Sequence, residues 1–110
     1  MNKIEHLFVY GTLAPGQPNE HILREINGQW HRAKVVGTLH EEGWGAEMGF
    51  PGIKLSREGS HVEGWVFSSD ELGRHWDRLD AFEGEAYQRV LTKVALVDQR
   101  SIDAFIYVLA

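Results

Sequence analysis

Two long β-prone runs fill residues 87–109, which read YQRVLTKVALVDQRSIDAFIYVL. The first run covers residues 87–97 and the second covers residues 102–109, and both are rich in β-branched and aromatic side chains. The polar residues 98–101 between them are typical of a turn. This part of the chain therefore predicts two strands joined by a short turn.

Four further β-prone segments lie upstream of this pair. Residues 7–10 form a short apolar run that ends at Gly11, as expected of a buried strand that leads into a turn. Residues 30–39 and 61–67 alternate with a period of two, which indicates strands with one buried face. Residues 53–55 predict one more short strand. The chain thus contains about six strands.

The first helical segment follows a loop rich in proline and glycine. Asn19 is suited to an N-cap, and Ile22, Leu23 and Ile26 then recur at helical spacing. The Asn-Gly pair at residues 27–28 ends the segment. The pattern predicts a short helix that ends before residue 27.

A second helix is predicted after the strand at residues 61–67. Ser68 and Glu71 have the spacing of a capping box. The apolar stripe of the helix that follows consists of Leu72, Trp76 and Leu79. We expect this helix to run out within residues 80–84.

These elements together indicate the fold class. Strands and short helices in this proportion predict an α+β protein, a small and mostly antiparallel β-barrel of about six strands with flanking short helices. A chain of 110 residues is long enough for one modest core and too short for two. We therefore expect residues 1–110 to form a single domain.

Charge and hydropathy argue against two classes of function, nucleic-acid binding and membrane binding. The net charge is −5, and a surface of that sign repels phosphate backbones and anionic lipids. No segment approaches the roughly 20 apolar residues that a membrane span requires, and the first residues do not resemble a signal peptide. We expect a cytoplasmic protein that binds neither nucleic acid nor membrane.

Cysteine is absent, so the protein has no disulfide, no thiolate nucleophile and no Cys-type zinc site. The six histidines are scattered, and no pair has the i, i+4 spacing of a zinc protease helix. We expect neither a metal nor another cofactor.

Two segments could carry chemistry, and the first is the turn after the strand at residues 7–10. A strand that ends in a glycine-containing turn can direct successive backbone N–H groups at one point. Such a concavity binds a carboxylate or an oxyanion without any particular side chain. Gly11 suits this place because it lets a ligand approach the main chain closely.

The second segment places Glu83 just past the apolar helical stripe, between Phe82 and Gly84. A carboxylate in a partly apolar pocket has a raised pKa and exchanges protons near neutral pH. The alternative is a solvated turn at a helix end, in which Glu83 with Asp80 and Glu85 would only face water.

The neighbours of Glu83 leave further alternatives open. Tyr87 either lines a cavity or is a core residue with a satisfied hydroxyl. Arg89 pairs with Asp80 or Glu83, or forms an ordinary ion pair on the strand surface. Tyr10 likewise has two possible roles, of which a place in the core comes before a place in the site.

Several short motifs lie in order along nearly the whole chain. They are Tyr10-Gly11-Thr12-Leu13 with residues 14–19, Phe50-Pro51-Gly52, Val62-Glu63-Gly64-Trp65-Val66-Phe67, Leu79-Asp80-x-Phe82-Glu83-Gly84, Tyr87-x-Arg89 and Phe105-Ile106-Tyr107. Each motif is moderately specific, and their order and spacing make the combination strong. Together they resemble the γ-glutamylcyclotransferase superfamily and within it the γ-glutamylamine cyclotransferase-like branch, also called AIG2-like.

The resemblance implies a small β-barrel that binds a γ-glutamyl group and releases it as 5-oxoproline together with a free amine. In that family the turn that matches Tyr10, Gly11, Thr12 and Leu13 holds the glutamyl end of the substrate through backbone amides. The residue that matches Glu83 is the acid/base. The substrate's own α-amine is the nucleophile, which agrees with the absence of cysteine.

The resemblance also sets the expected partners. We expect a small-molecule γ-glutamyl substrate, with Tyr87 in the substrate-binding cavity, and a monomer or weak homodimer. The alternative function is a non-catalytic module that binds a γ-glutamyl or 5-oxoproline-like carboxylate. Retention of Glu83 favours the enzyme, because a module that only binds an anion gains nothing from a second negative charge.

Overall fold

The computed structural model describes residues 3–10, 13–17, 20–40, 52–85 and 87–109. These residues form six strands, two α-helices and one 3-10 turn. In chain order they are β1 (Glu5–Val9), α1 (His21–Arg24), β2 (Gln29–His40), β3 (Gly52–Leu55), β4 (Ser60–Ser69), the 3-10 turn (Leu72–Arg74), α2 (Trp76–Glu83), β5 (Tyr87–Leu96) and β6 (Ser101–Leu109).

The strands form one sheet in the order β3-β2-β4-β1-β6-β5. It closes on itself because β5 also pairs with β2, where Ala33 faces Leu96 and Lys34 faces Ala95. Five strands therefore form a barrel, and β3 extends it beside β2. All pairings are antiparallel except that of β1 with β6. The predicted α+β barrel, mostly antiparallel and with flanking short helices, is confirmed.

Two apolar clusters lie on the two faces of this sheet. Successive strand residues point to opposite faces, so Ile106 enters one cluster and Tyr107 the other. The first cluster contains strand residues only and fills the barrel, with Phe8, Val35, Val66, Val94, Ala104, Ile106 and Val108 among its members. The second lies between the sheet and the helices, with Leu7, Val9, Leu13, Leu23, Phe67, Leu72, Trp76, Leu79 and Tyr107.

The predicted capping box is wrong. The Ser68 hydroxyl lies 2.6 Å from Nδ1 of His6 on β1, because β4 continues to Ser69 and keeps Ser68 within the sheet. The hydroxyl of Ser69 instead accepts the backbone N–H of Glu71 at 3.0 Å and donates to the carbonyl of Asn27. The bond from Glu71 closes a turn ahead of the 3-10 segment, whose N-cap position is Glu71 and which has no side-chain cap.

The second predicted helix is present in two pieces, a 3-10 turn and α2, and it ends at Glu83 within the expected range. Its stripe of Leu72, Trp76 and Leu79 is buried as predicted. Helix α1 is a single turn with Leu23 buried, and the N-cap proposed at Asn19 lies outside the described residues. None of the helices in the described ranges has the length and apolarity to cross a membrane.

Candidate active site

The topology brings the two chemically interesting segments to one end of the barrel. Strands β1 and β6 are parallel, so both finish at this end. Strand β5 is antiparallel to β6 and starts there, with Tyr87 opposite Leu109. Helix α2 reaches the same place because only a short connection separates its last residue, Glu83, from Tyr87.

Tyr10, directly after β1, is anchored at this end by two hydrogen bonds. Its hydroxyl donates to the carbonyl of Tyr107 at 2.7 Å and accepts the backbone N–H of Ile53 at 3.0 Å. Its ring stacks on Phe8, with 6.2 Å between the centroids. Burial raises the pKa of the phenol above its ordinary value, and the charge of Glu83 adds to this. Tyr10 is therefore a neutral and well-fixed residue beside Glu83.

Glu83 is the last residue of α2, and its environment is unusual for a carboxylate. Burial raises its pKa to about 7. Among the described residues, no charge or hydrogen bond offsets this effect of burial. The groups that sense its charge are three phenols, those of Tyr10, Tyr87 and Tyr107. A carboxyl of this pKa is about half ionised at neutral pH and can both accept and donate a proton.

Asp80 lies one turn earlier on the same helix and has the opposite environment. It receives two hydrogen bonds from Arg89, Nε to Oδ1 at 3.0 Å and Nη2 to Oδ2 at 3.3 Å, and a third from the Tyr107 hydroxyl at 2.7 Å. Burial alone would raise its pKa, but the hydrogen bonds from Tyr107 and Arg89 and the charge of Arg89 hold the pKa of Asp80 below its ordinary value. Asp80 is therefore ionised at neutral pH.

The sequence left open whether Arg89 pairs with Asp80 or Glu83 or forms an ordinary ion pair on the strand surface, and the structure decides between these. Arg89 pairs with Asp80, and its guanidinium also lies over two rings, 4.4 Å from the centroid of Trp76 and 5.0 Å from that of Phe105. Cation–π contacts of this kind favour a fixed position for the guanidinium.

The sequence indicates Tyr107 only as part of the motif Phe105-Ile106-Tyr107, yet in the structure it connects the two segments. Its carbonyl accepts the Tyr10 hydroxyl and its own hydroxyl donates to Asp80. The signal was present in the sequence, because a short turn between β5 and β6 sets a register in which Arg89 faces Tyr107.

The structure brings Tyr10, Glu83 and Tyr87 of the predicted site residues together. The side chain of Leu13 is buried in the cluster beneath the helices, so only its backbone could face a ligand. Gly11 and Thr12 lie outside the described residues.

Altered pKa values concentrate at this end of the barrel. Of the seven described side chains whose pKa clearly departs from its ordinary value, five are here and two, His6 and Asp98, lie elsewhere. Such clustering is characteristic of functional sites. Among the residues that the structure describes, no group of three or more His, Asp or Glu side chains could hold a metal ion.

The chain resembles several known proteins. The family model of γ-glutamyl cyclotransferase, AIG2-like, matches residues 7–110. The γ-glutamylaminecyclotransferase of Bos taurus is 35% identical, over 98% of this chain and 67% of that protein. The γ-L-glutamyl-butirosin B γ-glutamyl cyclotransferase of Niallia circulans is 33% identical, over 78% of this chain and 52% of that protein. The chain thus spans about half to two thirds of the length of these relatives.

Solved structures agree with the sequence relatives. An AIG2-like protein from Mus musculus superimposes with a TM-score of 0.74 at 26% identity, over 97% of this chain and 78% of that one. YkqA from Bacillus subtilis gives a TM-score of 0.74 at 29% identity, over 97% of this chain and 36% of that one. With a family model that matches nearly its whole length, the chain belongs to the γ-glutamyl cyclotransferase, AIG2-like family.

Proposed function

We propose that this protein cleaves a γ-glutamyl amide by attack of the substrate's own α-amine on the γ-carbonyl, releasing 5-oxoproline and a free amine. Family membership supports the reaction class. The observation that carries the proposal for this chain is the half-buried carboxyl of Glu83, whose pKa of about 7 suits it to proton transfer at neutral pH.

The substrate's glutamyl end would be held by the turn that follows Tyr10. Backbone N–H groups of Gly11, Thr12 and Leu13 would bind the α-carboxylate or the developing oxyanion, and one such donor contributes on the order of 3 kcal/mol. The two hydrogen bonds of Tyr10 support this role, because they fix the residue from which the turn starts.

Glu83 would move the protons. Its carboxylate takes one proton from the α-ammonium, and the freed amine attacks the γ-carbonyl carbon to close a five-membered ring. When the bond from that carbon to the leaving nitrogen breaks, Glu83 returns the proton to the leaving amine. A second proton leaves the ring nitrogen by the same route, so that the products are 5-oxoproline and an ammonium. Ring closure gains strongly from proximity, because both reacting groups belong to one bound molecule.

Space for the leaving amine is available beside α2. A cavity of about 540 Å³ adjoins the connection from α2 to β5, with Gly84, Glu85, Tyr87 and Gln88 among its lining residues. We propose that the part of the substrate beyond the γ-glutamyl group extends into it, consistent with the predicted role of Tyr87.

The test is release of 5-oxoproline from a panel of γ-glutamyl amines, γ-glutamyl dipeptides and glutathione. We expect release from at least one of them, and loss of release in Glu83→Gln. The matched control is Asp77→Asn, which neutralises an exposed carboxylate on the same helix and should retain activity. Binding of 5-oxoproline with no release from any compound would favour the non-catalytic module instead.

We further propose that residues 1–110 act as one domain, in the cytoplasm, as a monomer or weak homodimer. The first point is supported by β1 and β6, which contribute residues to both apolar clusters. Sedimentation at several concentrations would measure the oligomeric state directly.

A further inference from the structure

Two carboxylates on one helix and one cation from the facing strand lie at the candidate site. Asp80 and Glu83 are three residues apart on α2, a spacing that places side chains on the same helical face. Arg89 comes from the facing strand β5 and forms its ion pair with Asp80. The phenol of Tyr107 senses the charges of all three groups, which puts them in one electrostatic neighbourhood.

The position of Arg89 is determined by more than the ion pair. Both guanidinium contacts to Asp80 are within hydrogen-bonding distance, and the flat faces of Trp76 and Phe105 lie against it. A bidentate pair of this kind is strong and directional. The side chain of Arg89 is 25% exposed, so the guanidinium is partly withdrawn from water. In this position it does not pair with Glu83.

We propose that Asp80 is a positioning residue that binds the Arg89 guanidinium against Trp76 and Phe105 and thereby keeps it from pairing with the Glu83 carboxylate one turn later. The proposal rests on the proposed function, in which Glu83 must take up and return protons. If Arg89 were released, it would find in Glu83 a second carboxylate on the same face of α2. A salt-bridged Glu83 would have a lower pKa and be a weaker base, so it would transfer protons between the α-ammonium and the leaving amine less readily near neutral pH.

The other groups around Glu83 do not provide this control. Phenols surround it from three elements, and burial raises the pKa of each of them, so they stay neutral at physiological pH. Glu85, in the turn after α2, is exposed. Among the described residues, the titratable groups that sense the charge of Glu83 are Tyr10 after β1, Tyr87 on β5 and Tyr107 on β6. The charged groups on the adjoining segments include Asp80 on α2, Glu85 in the turn and Arg89 on β5.

The test is a titration of the Glu83 carboxyl carbon by nuclear magnetic resonance, which needs no substrate. In Asp80→Asn the amide oxygen can still accept the Tyr107 hydroxyl, but the ion pair to Arg89 is lost. An opposite charge within about 4–6 Å lowers a carboxyl pKa by about 1–3 units. We therefore expect the Glu83 midpoint to fall by about one pH unit or more.

The double variant Asp80→Asn/Arg89→Met tests whether the guanidinium is the cause. Methionine retains an apolar stem against the rings and removes the charge, so the midpoint should return close to the wild-type value. Asp77→Asn is the control for loss of a carboxylate elsewhere on α2 and should leave the midpoint unchanged. An unchanged midpoint in Asp80→Asn, or a lowered one that persists in the double variant, would overturn the proposal.

Kinetics then connect the titration to the reaction. The acidic limb of kcat/KM against pH reports the free enzyme's base, so it should move to lower pH in Asp80→Asn and return in the double variant. If no γ-glutamyl compound is turned over, the proposed function fails while the titration still decides the role of Asp80. Circular dichroism spectra that overlay with wild type would show that each variant is folded.

Discussion

The last two turns of α2 carry the same functional group in two different environments. Asp80 receives three hydrogen bonds, two from a guanidinium and one from a phenol, and its pKa lies below the ordinary value. Glu83, three residues later, lies among phenols, and burial raises its pKa to about 7. Two carboxylates whose pKa values are driven apart in this way commonly divide the work of a site, one as a fixed charge and one as the proton carrier.

Burial raises the pKa of Glu83, whereas hydrogen bonds from Tyr107 and Arg89 and the charge of Arg89 lower the pKa of Asp80, so the environment and not the residue type separates the two carboxyls. Arg89 pairs with Asp80, and no charge in the described structure offsets the burial of Glu83. The ionised form of Glu83 is thereby disfavoured, whereas that of Asp80 is stabilised. Removing the charge of Glu83 should therefore stabilise the folded protein, whereas removing a hydrogen bond from Asp80 should destabilise it.

The largest effect is expected from Glu83→Gln on turnover. Glutamine keeps the shape of the side chain but cannot carry a proton, and general acid–base catalysis contributes about a hundredfold to ten-thousandfold. We expect kcat for 5-oxoproline release to fall by about that factor, with binding of 5-oxoproline retained. Full activity of the variant would remove Glu83 from the mechanism.

The same substitution should make the protein more stable at high pH. Below pH 4.5 Glu83 is neutral in both the folded and the unfolded chain, so it has no effect on stability. Between pH 4.5 and about 7 only the unfolded chain ionises it, which favours unfolding, and above pH 7 the cost is constant. At pH 8 we expect Glu83→Gln to raise the free energy of unfolding by about 3 kcal/mol, measured by urea denaturation. The gain should vanish near pH 4, and a gain that does not depend on pH would contradict the assignment.

Gly84→Ala should disturb the junction that aims Glu83. Gly84 has φ 82° and ψ −173°, a combination that only glycine adopts readily. A Cβ there would meet no neighbouring atom, so the cost is backbone strain of about 1–3 kcal/mol in the free energy of unfolding. Gly16→Ala, at φ 81° and also without nearby atoms, is the matched control. Both variants should lose stability, but only Gly84→Ala should alter the acidic limb of the pH profile.

Tyr107→Phe should act on Asp80 and leave Glu83 largely unchanged. It removes one donor from the Asp80 carboxylate, which keeps its two contacts to Arg89. We expect a loss of about 1 kcal/mol in the free energy of unfolding and an upward shift of the Asp80 titration. The Glu83 midpoint should stay near that of wild type; if it moved as far as that of Asp80, the two carboxyls would not be separate in function.

Much of the fold could be predicted because alternation shows directly which strand residues are buried. The strands at residues 30–39 and 61–67 and the stripe of Leu72, Trp76 and Leu79 are examples. Periodicity does not name a strand's partner, so neither the parallel pairing of β1 with β6 nor the closure of β5 onto β2 could be read from it. The capping box failed because Ser68 contacts His6, 62 residues away in the sequence.

The candidate site, too, could be predicted from the sequence only in part. Glu83 and Tyr10 could be proposed because both occupy recognisable motifs. Which of the two carboxylates Arg89 contacts could not be predicted. Asp80 and Glu83 lie on one helical face, and both precede β5 by only a few residues. The Arg89 guanidinium also contacts the rings of Trp76 and Phe105, which only the packing of α2 on the sheet brings together.

The most direct test of this account is the pH titration of the carboxyl carbons of Glu83 and Asp80 in the wild-type protein, followed by nuclear magnetic resonance. We expect a midpoint of about 7 for Glu83 and a midpoint below the ordinary value of 3.8 for Asp80. A Glu83 midpoint near 4.5, the ordinary value of a solvated glutamate, would contradict it.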